Sequence, residues 1–414
     1  MFRILSIALV TLALAYAAWA NSASTLFSKF APERGIRLDA DSAQALMNIT
    51  EKAGAKNDKT QFLKIARDNS VRALRSEPLS SRALRQLGVY YALRGNMEKA
   101  RQLVEMSSSL SRRDTPGQLW LIDDYLRRGK SRDALQALDV VMRTQPQTRE
   151  AAYGALGNAL ADPEFRKIFI PYVRSKPTWL KPFIQFNTGM KNPEILSRTL
   201  MQMRPLSKDI FDERTASALL VSLVNRAPID DARTFYLSMP GASAAPLTSI
   251  EFARSADAFR FPPFGWEMLN DGNVQGFGNV KGHNVSIEAL AVPGTSGTAA
   301  RKLLFLRSGG YRWSGTADMS QMTGGSATAN LLCNSGPGQW SRLGSVDLKP
   351  GRNRLAFVIG SSCAAQMLTI NIVGADTQSD VSMRVSQMRL EPATGAVPSA
   401  AAPAKTVTAT PDAG

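Results

Sequence analysis

Tyr91, Gly95 and Ala100 recur 34 residues later as Tyr125, Gly129 and Ala134. A period of that length is one helix–turn–helix unit, and units of this kind bury their apolar faces only by stacking on neighbours. The residue types fit the geometry. Two antiparallel helices cross closely where one side chain is small, as at Gly88, Ala100 and Ala134, and a large residue such as Tyr91 or Tyr125 fills the space beside them. Gly95 and Gly129 suit the left-handed residue that ends a first helix. Pro78 and Pro146 stop a second one.

The first clear copy reads Leu84, Leu87, Gly88, Tyr91, Gly95, Ala100, Val104, Ser107. The next reads Gln118, Leu121, Ile122, Tyr125, Gly129, Ala134, Leu138, Val141, Pro146. Ala66, Ser70 and Ala73, followed by Pro78, look like the second helix of a degenerate unit. These residues resemble the tetratricopeptide repeat family, over about residues 60–180. The match departs at Leu84 and Gln118, where an aromatic is usual, at Ile122 in place of glycine, and at Arg112 in place of proline. The resemblance implies a concave face, built by the first helices, that binds a protein partner. On this sequence it would carry Arg85, Arg94, Asp124, Arg127 and Arg128. Short amphipathic segments at 163–173, 179–187, 193–203, 212–224 and 230–237 extend the expectation to a solenoid of about ten helices within residues 24–240.

Beyond a Pro/Ala/Ser break at 240–246 and an expected linker at 241–258, the periodicity changes to two. Ten short alternating runs begin near 265, 274, 284, 302, 311, 327, 339, 353, 367 and 381, separated by Gly, Pro, Asn or Asp. The predicted fold class is therefore an α-helical solenoid followed by an antiparallel jelly-roll β-sandwich at 259–392. Pro263-Phe264-Gly265-Trp266, Arg307-Ser308-Gly309-Gly310-Tyr311, Trp340, Phe357-Val358 and Gln366-Met367-Leu368 resemble the non-catalytic, carbohydrate-binding-like sandwiches that bacteria append to secreted and periplasmic proteins. The resemblance implies glycan binding on aromatic platforms. Trp266 and Trp340, beside Gly and Ser, are the expected platforms. Tyr311 and Trp313 share a face, and Arg312 between them turns that face inward.

The chain has 50 Lys and Arg against 34 Asp and Glu. Residues 1–249 hold 36 and 23 of these, so the helical half is the basic one. That favours anionic partners, an acidic polysaccharide among them. Arg3, the apolar run 4–20 and the small-x-small triplet Ala18-Trp19-Ala20 read as an export signal. Cleavage near Ala20 would leave a soluble periplasmic protein. Retention would leave residues 4–20 as an inner-membrane anchor. Either outcome argues against nucleic acid. Cys333 and Cys363 are the only cysteines, and in an exported chain an even pair suggests a disulfide.

No catalytic arrangement stands out. The single histidine, His283, lies in a Gly-His-Asn loop with no serine elbow or carboxylate beside it. The glycine-rich run 272–282 lacks the third glycine of a dinucleotide loop. No metal set or cofactor motif is present in the sequence. The Ala/Pro/Thr-rich tail 393–414 is expected to be disordered. The expected function is a non-catalytic scaffold or adaptor in cell-envelope or exopolysaccharide assembly. A purely structural protein–protein scaffold anchored in the inner membrane is the alternative, and a carbohydrate-active enzyme is a further one.

Overall fold

The computed structural model describes Trp19 and residues 22–23, 25–55, 59–205, 207–252, 257–281, 284–376 and 379–393. The export segment, apart from Trp19, lies outside the described residues. So do His283 and the tail beyond Ala393. Among the described residues thirteen α-helices run between Pro32 and Leu237, and ten strands follow. Among the described residues no helix is long and apolar enough to cross a membrane. The chain forms two compact units. One is Met1–Ala152 with Lys167–Tyr172 and Pro177–Trp179; the other is Tyr153–Arg166 with Val173–Lys176 and Leu180–Gly414. The division falls inside the helical run, so the last helices belong with the sandwich.

In the first unit the 34-residue period becomes physical contact. Helices Ala43–Ala55, Lys59–Ser76, Ser81–Leu93, Met97–Leu110, Thr115–Arg127 and Ser131–Thr144 pack in sequence order. Gly88 shows why its position is small: a Cβ there would stand 2.6 Å from Val104 Cγ2 and 3.0 Å from the Ala100 carbonyl oxygen. Gly95 and Gly129 have φ of 83° and 68°, the left-handed values their helix ends require. Ala66, Ala73, Ala83, Ala100, Val104 and Ala134 are buried at the crossings. Residues one period apart touch. Arg82 Nη2 donates to Asn48 Oδ1, and Arg85 Nη2 donates to Glu51 Oε1 at 2.6 Å. The first helices 43–55 and 81–93 are therefore stacked neighbours, and the repeat reaches further back than its clear copies.

In the second unit, Asn187 Nδ2 donates to the Tyr153 carbonyl, again 34 residues away. Asp212 caps helix Glu213–Arg226 by accepting from the Thr215 backbone N–H at 2.9 Å and its hydroxyl at 2.7 Å. The stretch expected as a linker, 241–258, carries buried side chains in its described part. Pro246, Leu247, Ile250 and Phe252 are buried. Tyr236, on the last helix, stacks on Phe264 with ring centroids 4.2 Å apart, and Phe264 lies against Phe305.

The sandwich consists of two five-stranded antiparallel sheets, β1-β4-β9-β6-β7 and β2-β3-β10-β5-β8. The strands are β1 (Glu267–Met268), β2 (Val274–Lys281), β3 (Asn284–Ala291), β4 (Ser296–Leu304), β5 (Gly309–Gln321), β6 (Ser326–Gly336), β7 (Gln339–Asp347), β8 (Gly351–Ile359), β9 (Gln366–Val373) and β10 (Val381–Pro392). Apart from the hairpins β2–β3 and β6–β7, the neighbours in each sheet are strands not consecutive in sequence, as a jelly roll requires. β4 starts earlier than the alternation suggests. Its first half is Ser, Gly, Thr and Ala, but Ala299 and Ala300 are fully buried against the opposite sheet. Trp313, Ile287, Ile370 and Val385 lie in the shared core. Cys333 and Cys363 are bridged, with Cα atoms 5.6 Å apart, tying β6 to the turn before β9.

Candidate functional site

The residues expected to form the protein-binding face separate into two groups. Arg85 and Asp124 are 7% and 4% exposed, which corrects the expectation that they meet a partner. Arg85 Nε lies 2.7 Å and 2.9 Å from the two oxygens of buried Asp114, and its Nη2 reaches Glu51. Burial alone would raise the Glu51 carboxyl, but bonds from Arg82 and Arg85 outweigh it and hold the group below its usual range. Asp124 is gripped by Arg101 at 2.9 Å and 3.0 Å, which keeps its carboxyl low, with Arg128 adding a weaker contact at 3.4 Å. A charge removed from water needs such partners, so these groups hold helices together. Arg128 is half-buried with them. Arg94 and Arg127 are exposed; Arg127 pairs with Asp123 at 2.9 Å, and both are largely in solvent.

Helices 43–55, 81–93 and 115–127 line a groove of about 810 Å³, bordered by Glu51, Arg82, Arg85, Val89, Asp114 and Pro116. Its floor charges neutralise one another, while Arg113 on its wall is exposed. Leu119 and Leu126 are 51% and 55% exposed, with half-buried Ile122 between them at helical spacing. This apolar stripe went unrecognised in the sequence because Leu119 and Leu126 look like ordinary core residues of a repeat.

The expected aromatic platforms fare differently. Trp266 is 1% exposed and sits in the sandwich core, which corrects its assignment as a sugar platform. Its neighbour Gly265 turns tightly: a Cβ there would stand 2.4 Å from the Arg260 carbonyl oxygen. The Trp266 backbone N–H donates to the Ala258 carbonyl at 2.7 Å, which fixes the chain where the indole enters the core. Trp340 is half-buried. It lies on β7, two residues beyond Gly338, where a Cβ would stand 2.5 Å from the Asn225 carbonyl oxygen of helix Glu213–Arg226. Trp313 is buried, Tyr311 half-buried and Arg312 exposed, as the alternation requires.

The outer face of β2-β3-β10-β5-β8 carries a different chemistry. Register places Arg354 opposite Ser314 and Ser314 opposite Arg389, Arg352 opposite Thr316, and Arg312 between Glu391 and Ala356. Arg384 lies between Asp318 and Glu288 and pairs with Glu288 at 3.1 Å. Five exposed arginines thus share the face with Glu288, Asp318 and Glu391. Arg312, Arg352 and Arg354 make no ion pair with any described residue. Phe277 is the large apolar side chain of β2 on this face, half exposed. Such a surface can bind a polyanion through several forked donors at once.

Sequence reasoning also missed Lys302, which is fully buried on β4. Its Nζ donates to the carbonyls of Pro246 at 2.9 Å and Phe264 at 2.6 Å and lies over the Phe252 ring. Burial pushes its pKa down to about 7. Both carbonyls are backbone acceptors from distant segments, so nothing in the local sequence marks the site. Among the described residues no group of three His, Cys, Asp or Glu is placed to hold a metal ion.

Protein-family models give no match to this chain, and neither do the sequences of curated proteins. Solved structures do show a likeness. TmCBM61, solved in complex with β-1,4-galactotriose, is 13% identical, with 31% of this chain and 88% of that one covered and a TM-score of 0.21. The xylan-binding domain of carbohydrate-binding module family 22 is 14% identical, covers 32% and 89%, and scores 0.23. A mitogen from Yersinia pseudotuberculosis is 9% identical, covers 28% and 91%, and scores 0.19. At such scores the likeness carries no argument about a ligand. The fold itself is a run of packed helices followed by a two-sheet antiparallel sandwich.

Proposed function

We propose that this protein is an exported, non-catalytic adaptor that holds an acidic polysaccharide on its sandwich and a protein partner on its helical repeats. The observation that carries the glycan half is the outer face of β2-β3-β10-β5-β8. There, Arg312, Arg352 and Arg354 stand exposed on adjacent strands without carboxylate partners among the described residues. Carboxylates repeating along a polysaccharide would supply those partners. Each contact is weak in water, and a repeating ligand makes many of them.

The helical half is read in the same way. The first unit offers a charged groove at Arg82 and Val89 and, on helix 115–127, the exposed Leu119–Ile122–Leu126 stripe, an apolar strip of the kind that suits an amphipathic protein segment. The Cys333–Cys363 bridge supports an oxidising compartment, and residues 1–20 supply the export signal, whether cleaved or kept as an anchor. Intact-mass measurement of the protein from its native envelope distinguishes the two.

The test is retardation of the purified full chain in gels containing polygalacturonate or neutral dextran. The account expects retardation by polygalacturonate that weakens steeply with added salt, and none by dextran. Equal retardation by both polymers would replace charge with sugar-ring recognition. No retardation by either would remove the glycan half.

A further inference from the structure

The second unit contains a cavity of about 850 Å³ at the start of helix Glu213–Arg226, lined by none of the five arginines of the sandwich face. Phe211, Met239, Pro240 and Phe261 form apolar walls, and Arg204 and Lys208 supply cations. The carboxylates beside it are already engaged. Asp212 accepts from Thr215 and pairs with Lys181 at 3.1 Å. Glu213 is held by Arg260, which also reaches Asp257 at 3.6 Å and lies over the Phe261 ring.

Arg204 differs from these. The hydrogen bond of its guanidinium among the described residues runs from Nη2 to the Met239 thioether at 3.5 Å, a weak acceptor. Desolvation is the influence acting on its charge, and it disfavours the cation. Lys208 is exposed at the cavity and pairs with no described carboxylate. A half-buried guanidinium without an anion costs free energy that a bound carboxylate, phosphate or sulfonate would offset through its planar fork. The surrounding Phe, Met and Pro side chains gain only if the rest of the ligand is apolar. The volume falls within the range of small-molecule sites.

We propose that this cavity binds an amphipathic small-molecule anion, its acidic head on Arg204 and its apolar body against Phe211, Met239, Pro240 and Phe261. The shared chemistry could come from an acyl chain or an aryl ring. A polar sugar acid would leave the walls unsatisfied, so this site and the arginine face select different ligands.

The experiment uses the full chain and 1-anilinonaphthalene-8-sulfonate as fluorescent probe, displaced by 1-naphthoate, decanoate, inorganic phosphate or galacturonate. The proposal expects displacement by 1-naphthoate or decanoate, the stronger one naming the apolar body, and none by phosphate or galacturonate at the same concentration. Arg204→Gln should weaken the displacing ligand by about tenfold or more, the loss of one charge-assisted contact. If that variant fails to fold, the neutral analogue 1-naphthalenemethanol decides on the unaltered protein, where it should bind about tenfold more weakly than 1-naphthoate. Equal binding of the neutral and charged analogues, displacement by phosphate alone, or no displacement by either amphipathic acid overturns the proposal.

Discussion

Arg85 Nε and the Asp114 carboxylate meet at 2.7 Å and 2.9 Å with both side chains less than a tenth exposed. The contact joins helix 81–93 to the start of helix 115–127, one repeat to the next. Asp114 also accepts from the Ser107 hydroxyl at 3.0 Å. Removing one member of a buried pair strands the other. Arg85→Ala is therefore expected to destabilise the chain by about 3–5 kcal/mol, while the double substitution Arg85→Met, Asp114→Leu recovers much of the loss. Denaturant unfolding of the three chains checks this. A single variant as stable as the parent would contradict it.

Asp212 should show its cap in an acid titration. The Thr215 hydroxyl and backbone N–H, with Lys181, hold its carboxyl at about 2. The folded value is depressed below the unfolded one, near 3.9. Its contribution is therefore complete above the unfolded value and disappears as pH falls towards 2. Asp212→Ala should cost about 1 kcal/mol at neutral pH, and the gap to the parent should close between about pH 4 and 2. Lys181 adds little, since that pair is more than a third exposed on both sides.

Lys302 should give a slope of the same sign, but at high pH. Its folded pKa of about 7 lies below the unfolded lysine value near 10.4. Below about pH 7 both states hold the proton. Between there and about 10.4 the unfolded chain binds more protons, so this group makes stability rise with pH. Lys302→Met should abolish that rise. It should also cost about 1–3 kcal/mol for each carbonyl left without a donor, those of Pro246 and Phe264. Unfolding measured from pH 6 to 9.5 separates the two effects.

Much of the fold was legible in the sequence, for local reasons. The 34-residue period followed from small residues at helix crossings, and the strands from period-two alternation bounded by turns. The parts that were missed depend on partners far away in the chain. Arg85 and Asp124 looked like exposed charges because Asp114 and Arg101 lie 29 and 23 residues from them. One signal was available: Glu51 and Arg85 are one period apart with opposite charge, so carrying the repeat one unit back would pair them. Trp266 was read as exposed from its glycine neighbour, whereas Gly265 is small because the backbone of Arg260 passes beside it. The arginine face needs β5, β8 and β10 brought together by non-sequential pairing, which strand patterns do not specify.

The Cys333–Cys363 bridge closes a span of 30 residues that holds β7 and β8. Its loss should lower stability by about 3–4 kcal/mol through the freedom regained by the unfolded chain. Unfolding with and without reductant, and of the Cys333→Ser, Cys363→Ser chain, should give matching losses. A reductant-insensitive midpoint would contradict this.

The most direct measurement of the account is the affinity of the full chain for polygalacturonate, compared with that of the Arg312→Ser, Arg352→Ser, Arg354→Ser variant by titration calorimetry at low salt. These side chains are exposed, so the variant should unfold at the same temperature as the parent. The account predicts that it binds at least about tenfold more weakly and with a shallower salt dependence. Unchanged affinity in a folded variant would contradict the central claim that this face of the sandwich holds the polysaccharide.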